Sequence, residues 1–228
     1  MKTIGLIGGM SWESTIPYYR IINETVKQKL GGLHSAKIVL VSVDFDEIAQ
    51  HQHAGNWTEA GRLLAKAARS VEAGGADFIL ICTNTMHKLV DDVQAAVKIP
   101  VLHVVDVLVE RLKQAGVRQV GLLATRFTME HEFYRGRIES HGIKVITPVL
   151  ADRNMVHRVI YEELCMGQVL DSSRLAYRDV MRRLVEEGAE ALVLGCTEIA
   201  MLVGQKDASV PLFDTTEIHA RAAVEFAL

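Results

Sequence analysis

The fold is indicated most directly by the stretch GADFILICT (residues 75–83) and by its near-repeat GAEALVLGC (residues 188–196), 113 positions further along the chain. Each stretch opens with a glycine, continues with apolar residues that show little polar alternation, and ends in a threonine or a cysteine. Apolar runs of this kind are typical of strands buried on both faces of a parallel sheet. Each stretch therefore predicts a buried parallel strand with a polar or reactive side chain at its carboxyl end.

Two further pairs of segments repeat in the same order. The first pair is IGLI (residues 4–7) with VGLL (residues 120–123), offset by 116, and the second is IPVL (residues 99–102) with VPLF (residues 210–213), offset by 111. Any two strand–helix units share some sequence similarity by composition alone. Three matching pairs of segments, in the same order and with nearly constant spacing, are more than this general similarity explains. The repeat therefore predicts an internal duplication.

Apolar runs and amphipathic stretches alternate along the whole chain, which predicts an α/β fold. Together with the repeat, this predicts two similar lobes related by a pseudo-twofold axis, each a parallel sheet flanked by helices, with the active site in the cleft between them. We expect the N-terminal lobe at residues 1–98, completed by residues 210–228, and the C-terminal lobe at residues 99–209. Strands are predicted at residues 3–7, 37–43, 78–82, 101–104, 119–123, 144–146, 191–194 and 211–213.

The composition excludes several classes of protein. The 228 residues include 25 Lys and Arg and 28 Asp and Glu, which gives a formal net charge of −3, and 49% are hydrophobic. Disorder and coiled coils do not fit this composition, and a near-neutral chain without a basic run argues against nucleic-acid and membrane partners. We therefore expect a small-molecule substrate. Neither a signal peptide nor an apolar run of about 20 residues is found, so we expect a cytoplasmic protein.

The sequence predicts no metal site and no nucleotide site. The three cysteines, Cys82, Cys165 and Cys196, form an odd, sparse set without a CxxC motif, which fits neither a disulfide framework nor a cysteine-based zinc site. The two histidines of residues 51–53 have no carboxylate motif beside them, and we interpret this segment as a polar loop. The glycines of residues 5–9 lack the spacing of a nucleotide-binding motif.

The repeat aligns Thr83 with Cys196, and each residue follows a predicted strand at its carboxyl end. Cys82 aligns instead with Gly195. Because successive strand side chains point to opposite faces, Cys82 and Thr83 cannot both face the same cleft. A thiol at the start of a following helix can be stabilised as a thiolate, which makes Cys196 a candidate base. The alternative is a small buried hydrophobe, the commoner role of a lone cysteine.

The polar segment Thr83-Asn84-Thr85 is the second candidate for chemistry. Its hydroxyl and amide groups, beside exposed backbone N–H groups, can hold a small carboxylate. The alternative is a cap for the helix predicted after it, and the two roles are compatible.

Three motifs resemble those of one known family. Gly8-Gly9-Met10, Asn84-Thr85-x-His87 and Gly195-Cys196-Thr197-Glu198 are similar, in order and spacing, to motifs of the cofactor-independent aspartate/glutamate racemases. The resemblance runs along essentially the whole chain, although hydantoin racemases, maleate isomerases and arylmalonate decarboxylases share the fold and parts of the pattern. It implies an isomerase with an amino-acid substrate, no cofactor and a homodimer.

In that family two cysteines, one from each lobe, act on opposite faces of the substrate α-carbon, one as a thiolate base and the other as a thiol acid. Cys196 matches the second cysteine, whereas Thr83 stands where the first is usually found. This exchange resembles the L-aspartate/glutamate-specific subset of the family. The resemblance implies that Cys196 is the base for the L-enantiomer and that Thr83 serves the opposite face.

The same resemblance implies a set of substrate-binding residues: Met10, Gln52, Asn84, Thr85, Thr197 and Glu198. The arginine and lysine that hold the side-chain carboxylate in some archaeal members are not evident. Glu47 and Cys165 fall near their places, and Thr128 is the candidate for that role. Two alternatives stay open: a racemase or decarboxylase of the same superfamily with a different substrate, and an amino-acid-binding protein that has lost catalysis.

Overall fold

The computed structural model describes residues 1–228 and consists of two units. The first unit is Met1–Val104 together with His219–Leu228, and the second is Val105–Ile218. Residues 99–104 therefore belong to the first unit and residues 210–218 to the second, which differs from the lobe boundaries expected from the sequence.

The sheet of the first unit is built from β1 (Ile4–Gly8), β2 (Ile38–Ser42) and β3 (Phe78–Ile81). All pairings are parallel, and the strand order is β2-β1-β3. Val101 adds a single parallel bridge to Ile79. This bridge holds the segment before residue 104 against the first sheet, and for this reason the segment belongs to the first unit.

The sheet of the second unit is built from β4 (Gln119–Leu123), β5 (Lys144–Ile146), β6 (Ala191–Leu194) and β7 (Leu212–Asp214). These strands are also parallel, in the order β5-β4-β6-β7. Because β7 pairs with β6, residues 210–218 extend the second sheet and do not complete the first.

The two sheets repeat one another in strand order and in register. β1 lies between β2 and β3, as β4 lies between β5 and β6. The sequence repeat aligns Ile79 with Leu192, and these residues pair with Val101 and Leu212, which the repeat also aligns. The predicted α/β class with two parallel sheets is confirmed, and the shared register agrees with an internal duplication.

Helices connect the strands and cover both faces of each sheet. They are α1 (Trp12–Leu30), α2 (Phe45–His53), α3 (Trp57–Ala73), α4 (Val90–Ala95), α5 (Val104–Gln114), α6 (Arg126–Glu130), α7 (Glu132–Glu139), α8 (Leu150–Glu162), α9 (Asp171–Glu186), α10 (Ile199–Leu202) and α11 (Thr215–Ala227), with 3₁₀ turns at Thr85–Leu89, Leu164–Met166 and Gln205–Asp207. Because α5 begins at Val104, the strand predicted at residues 101–104 is limited to the Val101 bridge. No helix is both long enough and apolar enough to cross a membrane.

Alternate residues of β3 pack against different helices. Phe78 and Leu80, with Cys82 after them, lie in a core formed with α1 and α11, whereas Ile79 and Ile81 pack against α3 and α4. All five side chains are fully buried, as expected for a strand covered on both faces. Cys82 therefore continues the face of Phe78 and Leu80, as the alternation of strand side chains predicts.

Candidate functional site

The turn between β1 and α1 places Met10 at the carboxyl end of the first sheet. Gly9 has a φ of +88°, and a Cβ atom there would lie 2.3 Å from the Val43 carbonyl oxygen, so only glycine fits. The Gly9 N–H donates to Thr15 Oγ1 at 2.8 Å, and the Ser11 side chain caps the N-terminus of α1. These bonds fix the backbone on both sides of Met10, whose side chain is buried.

Gln52 lies in the last turn of α2, so the loop expected at residues 51–53 is wrong. These residues continue the helix because the capping side chain of Asp44 starts it and the chain turns only at Ala54. Gln52 Nε2 donates to Met86 Sδ at 2.8 Å, and both side chains are buried. Met86 shares a core cluster with Met10. The structure therefore brings Met10 and Gln52 to the segment that follows β3.

Thr83, Asn84 and Thr85 connect β3 to the 3₁₀ turn that follows. Thr83 is half-buried, and Asn84 and Thr85 are buried. Asn84, at the N-cap position of this turn, makes no side-chain capping hydrogen bond to it. Cys82 lies in the core beneath, where burial raises the pKa of its thiol.

His87 fixes the backbone at Thr83. His87 Nδ1 lies 2.8 Å from the Thr83 carbonyl oxygen, which can only accept, so this nitrogen donates. Nε2 accepts the Val104 N–H at 3.3 Å. The two bonds define one neutral tautomer of the ring, with its proton on Nδ1, and the ring also packs edge-on against His103 with centroids 4.6 Å apart.

Cys196 follows β6 directly after Gly195. A Cβ atom at Gly195 would lie 2.9 Å from Leu122 Cδ1 and 3.1 Å from Ala124 Cβ, tighter than ordinary van der Waals contact, so these neighbours would have to shift. Glycine therefore lets β6 lie close to β4 immediately before the thiol. Cys196 itself is 8% exposed.

Two thiols share one buried carboxylate in the second unit. The Cys196 thiol donates to Glu198 Oε2 at 2.9 Å, and the Cys165 thiol donates to Glu198 Oε1 at 3.7 Å. Glu198 is only 4% exposed, whereas Cys165 is half-buried. Glu198 is therefore the immediate proton acceptor for Cys196.

The environment of Cys196 favours the neutral thiol. Burial raises its pKa most, and the charge of Glu198 and the neighbouring Cys165 raise it further. Burial also raises the pKa of Tyr161 and Tyr177, with the charge at Cys196 as the next cause. The sequence predicted that a helix N-terminus would stabilise the thiolate. That expectation is wrong, because α10 has only four residues and burial dominates.

The other predicted residues of the second unit are also buried. Thr197 is 5% exposed, between Cys196 and Glu198. Thr128 is fully buried in α6, and its Oγ1 lies 3.3 Å from Thr125 Oγ1, whose side chain also caps this helix.

The predicted site residues thus form one group in each unit. The sequence did not reveal the contact of Cys165 with Glu198 or the bonds that His87 makes, because both lie outside the strand segments that repeat. The only signals were the proximity of Cys165 to a family position and the place of His87 in a motif. No group of three or more His, Cys, Asp or Glu side chains could hold a metal ion.

The chain is similar to known proteins along its length. It matches the model of the family "Asp/Glu/Hydantoin racemase" over residues 7–223. A candidate Asp/Glu racemase from Yersinia pestis has 57% sequence identity and a TM-score of 0.92, covering 100% of this chain and 99% of that one. An aspartate racemase homologue from Pyrococcus horikoshii OT3 has 35% identity and a TM-score of 0.86, with the same coverage. The broad specificity amino-acid racemase RacX of Bacillus subtilis (strain 168) is 20% identical over 226 residues, which are 97% of this chain and 96% of RacX.

Proposed function

Because the chain belongs to the Asp/Glu/hydantoin racemase family and is an amino-acid racemase, an isomerase, we propose that it racemises aspartate and glutamate without a cofactor. The observation that carries the proposal is the buried pair of Cys196 Sγ and Glu198 Oε2, 2.9 Å apart at the end of β6. A base held beside a buried proton acceptor is what removal of an α-proton requires. The relatives named for aspartate and glutamate support this substrate class.

Cys196 is the proposed base for the L-enantiomer. In the resting pair the proton lies on sulfur, and its transfer to Glu198 Oε2 leaves a thiolate and a neutral carboxylic acid without changing the net charge of the pair. The thiolate then forms an S–H bond with the α-proton, and the electron pair of the C–H bond stays on the α-carbon. The positive ammonium group of the substrate favours the first of these steps, the proton transfer to Glu198, because an adjacent positive charge stabilises a thiolate.

The carbanion needs stabilisation that the chain itself supplies. In this proposal, backbone N–H groups at Met10, Asn84 and Thr85 hold the α-carboxylate, on which the negative charge spreads. Gln52 and Thr197 complete the contacts to the amino acid, and Thr128 contacts its side-chain carboxylate. Exclusion of water from these buried groups strengthens each interaction.

Thr83 is the proposed proton donor on the opposite face of the α-carbon. Its Oγ1–H bond breaks and the proton forms the new C–H bond of the D-enantiomer. Water returns a proton to Oγ1, and the hydroxide that this leaves is neutralised by the proton that the Glu198 carboxylic acid releases, which restores the resting pair of Cys196 thiol and Glu198 carboxylate. A threonine hydroxyl is a poor base. The enzyme therefore exchanges the α-proton of L-substrates much faster than that of D-substrates, while the equilibrium constant between the enantiomers remains one.

The decisive experiment supplies each standard amino acid, as the L- and the D-enantiomer, to the purified protein in deuterated water, followed by chiral separation. We expect deuterium at the α-carbon and net inversion with L-aspartate or L-glutamate. Binding of these amino acids without any exchange would identify a binding protein. Exchange only with other amino acids, or loss of CO₂ from a malonate, would identify a different enzyme of the superfamily.

We also propose that the protein works as a homodimer in the cytoplasm. Its three cysteines are free, as is usual in a compartment that keeps thiols reduced. Sedimentation equilibrium of the purified protein tests the assembly, and we expect twice the mass of the chain. A monomer at assay concentration would contradict this part of the proposal.

A further inference from the structure

Cys165 has no part in the reaction proposed above, yet its thiol contacts the same carboxylate as Cys196. The contacts use different oxygens of Glu198: Oε2 accepts from Cys196 at 2.9 Å and Oε1 accepts from Cys165 at 3.7 Å. Both contacts lie within the second unit, and the contact of Cys165 joins the segment after β6 to the 3₁₀ turn Leu164–Met166.

The turn that carries Cys165 is anchored by a buried acid. The Glu163 carboxylate accepts from the Ser173 hydroxyl, and it also accepts from Arg158 at 3.0 Å. The Glu163 carbonyl oxygen accepts the backbone N–H groups of Met166 and Gln168, which closes the turn on itself. Cys165 is therefore held at a fixed position beside Glu198.

We propose that Cys165 is a positioning residue that sets how the proton of the Cys196–Glu198 pair is divided between sulfur and oxygen. This inference rests on the proposed role of Cys196 as the base and extends it to a residue that acts through Glu198. A donor on Oε1 stabilises the charged carboxylate relative to the neutral acid. The proton of the pair therefore stays on Cys196, and the thiol remains neutral until a cationic substrate arrives.

The pKa of the Cys196 thiol is also raised by the charge of Cys165, after burial and the charge of Glu198. This electrostatic effect is separate from the hydrogen bond to Glu198 and acts in the same direction. Removal of the Cys165 donor makes Glu198 a better proton acceptor and enriches the thiolate form of Cys196. Serine keeps a donor at this position and preserves the neutral thiol.

The test measures the alkylation rate of Cys196 by iodoacetamide in the full-length protein without substrate, because the thiolate is the reactive form. Peptide mass spectrometry at low conversion reports each cysteine separately. We expect alkylation at neutral pH to be about fivefold faster in Cys165→Ala, the factor that corresponds to a hydrogen bond of about 1 kcal/mol. Cys165→Ser is expected to react at the wild-type rate or more slowly.

Two further variants separate this effect from a change in packing. Cys165→Val removes the donor but fills space, so it tests the prediction if the alanine variant folds poorly, and it is expected to react like alanine. Met166→Ala changes an exposed side chain on the same turn and is expected to leave the rate unchanged. Equal rates in all Cys165 variants, or a serine variant accelerated as much as alanine, would overturn the proposal.

A second readout connects the inference to turnover. The pH profile of deuterium exchange into L-aspartate is expected to move to lower pH in Cys165→Ala and not in Cys165→Ser, because the thiolate forms more readily. If no amino acid undergoes exchange but the alkylation rates differ as expected, the coupling stands and the proposed function fails. If the enzyme exchanges the α-proton but neither the alkylation rates nor the pH profile depend on Cys165, the proposed function stands and the coupling fails.

Discussion

Cys82 and Cys196 lie at the ends of equivalent strands but in different surroundings. Cys82 is fully buried in the core between β3 and α1, whereas Cys196 contacts Glu198 at 2.9 Å. We expect Cys196→Ala to lower the rate of L-aspartate exchange by at least about 100-fold, because it removes the proposed base. Cys82→Ala serves as the matched control and retains most activity. Full activity without Cys196, or loss of activity in a folded Cys82 variant, contradicts this assignment.

Thr83 makes the proposed chemistry unequal on the two faces of the substrate. Thr83→Cys supplies a thiol with an ordinary pKa of about 8.5, a far better base than a hydroxyl. We expect it to raise the initial exchange rate of D-aspartate in deuterated water by about 10-fold or more, with a smaller change for L-aspartate. Equal wild-type rates for the two enantiomers, or a folded variant no faster with D-aspartate, would exclude Thr83 from the second proton-transfer position.

The C-terminal element α11 docks on the first sheet through a buried histidine. His219 Nδ1 accepts from the Tyr18 hydroxyl and Nε2 donates to the Leu102 carbonyl oxygen, each at 2.9 Å. Burial, followed by the proximity of His87, lowers the pKa of His219 to about 3 from 6.5. Between these two pH values the unfolded chain binds a proton that the folded chain does not. This histidine therefore costs about 1.4 kcal/mol of stability for each pH unit of acidification below 6.5.

Urea unfolding as a function of pH measures that dependence. His219→Gln is expected to unfold at a lower urea concentration than the wild type at neutral pH. Its free energy of unfolding is expected to fall less steeply than that of the wild type on acidification. His34→Gln, at an exposed position, is the matched control and keeps the wild-type slope. An unchanged slope in the His219 variant would show that another group accounts for the acid sensitivity.

For the molecule as a whole, both proposed proton-transfer groups belong to side chains of the chain itself. We therefore expect racemisation to survive EDTA and carbonyl reagents, and the purified protein to show no pyridoxal absorbance. The measurement is the exchange rate of L-aspartate before and after each treatment. A rate that falls with EDTA and returns with a divalent cation would require a different mechanism.

The architecture could be predicted from the sequence because its strands are apolar runs buried on both faces, and their repeat aligns residues that pair equivalently in the two sheets. The unit boundaries could not be predicted, because they depend on the bridge of Val101 to Ile79 and the pairing of β7 with β6. The contact of Cys165 with Glu198 could not be predicted either. These residues are 33 positions apart, and only tertiary folding brings them together.

The hydrogen bonds of His87 and His219 fix the tautomers of two rings in the first unit, and these tautomers can be observed by NMR. His87 carries its proton on Nδ1 and His219 carries it on Nε2, because in each ring that nitrogen faces a carbonyl oxygen. We therefore expect nitrogen-15 NMR of the folded protein at neutral pH to show two neutral imidazoles of opposite tautomer. A change in the resonances of either ring would report that the hydrogen bonds of that ring have broken.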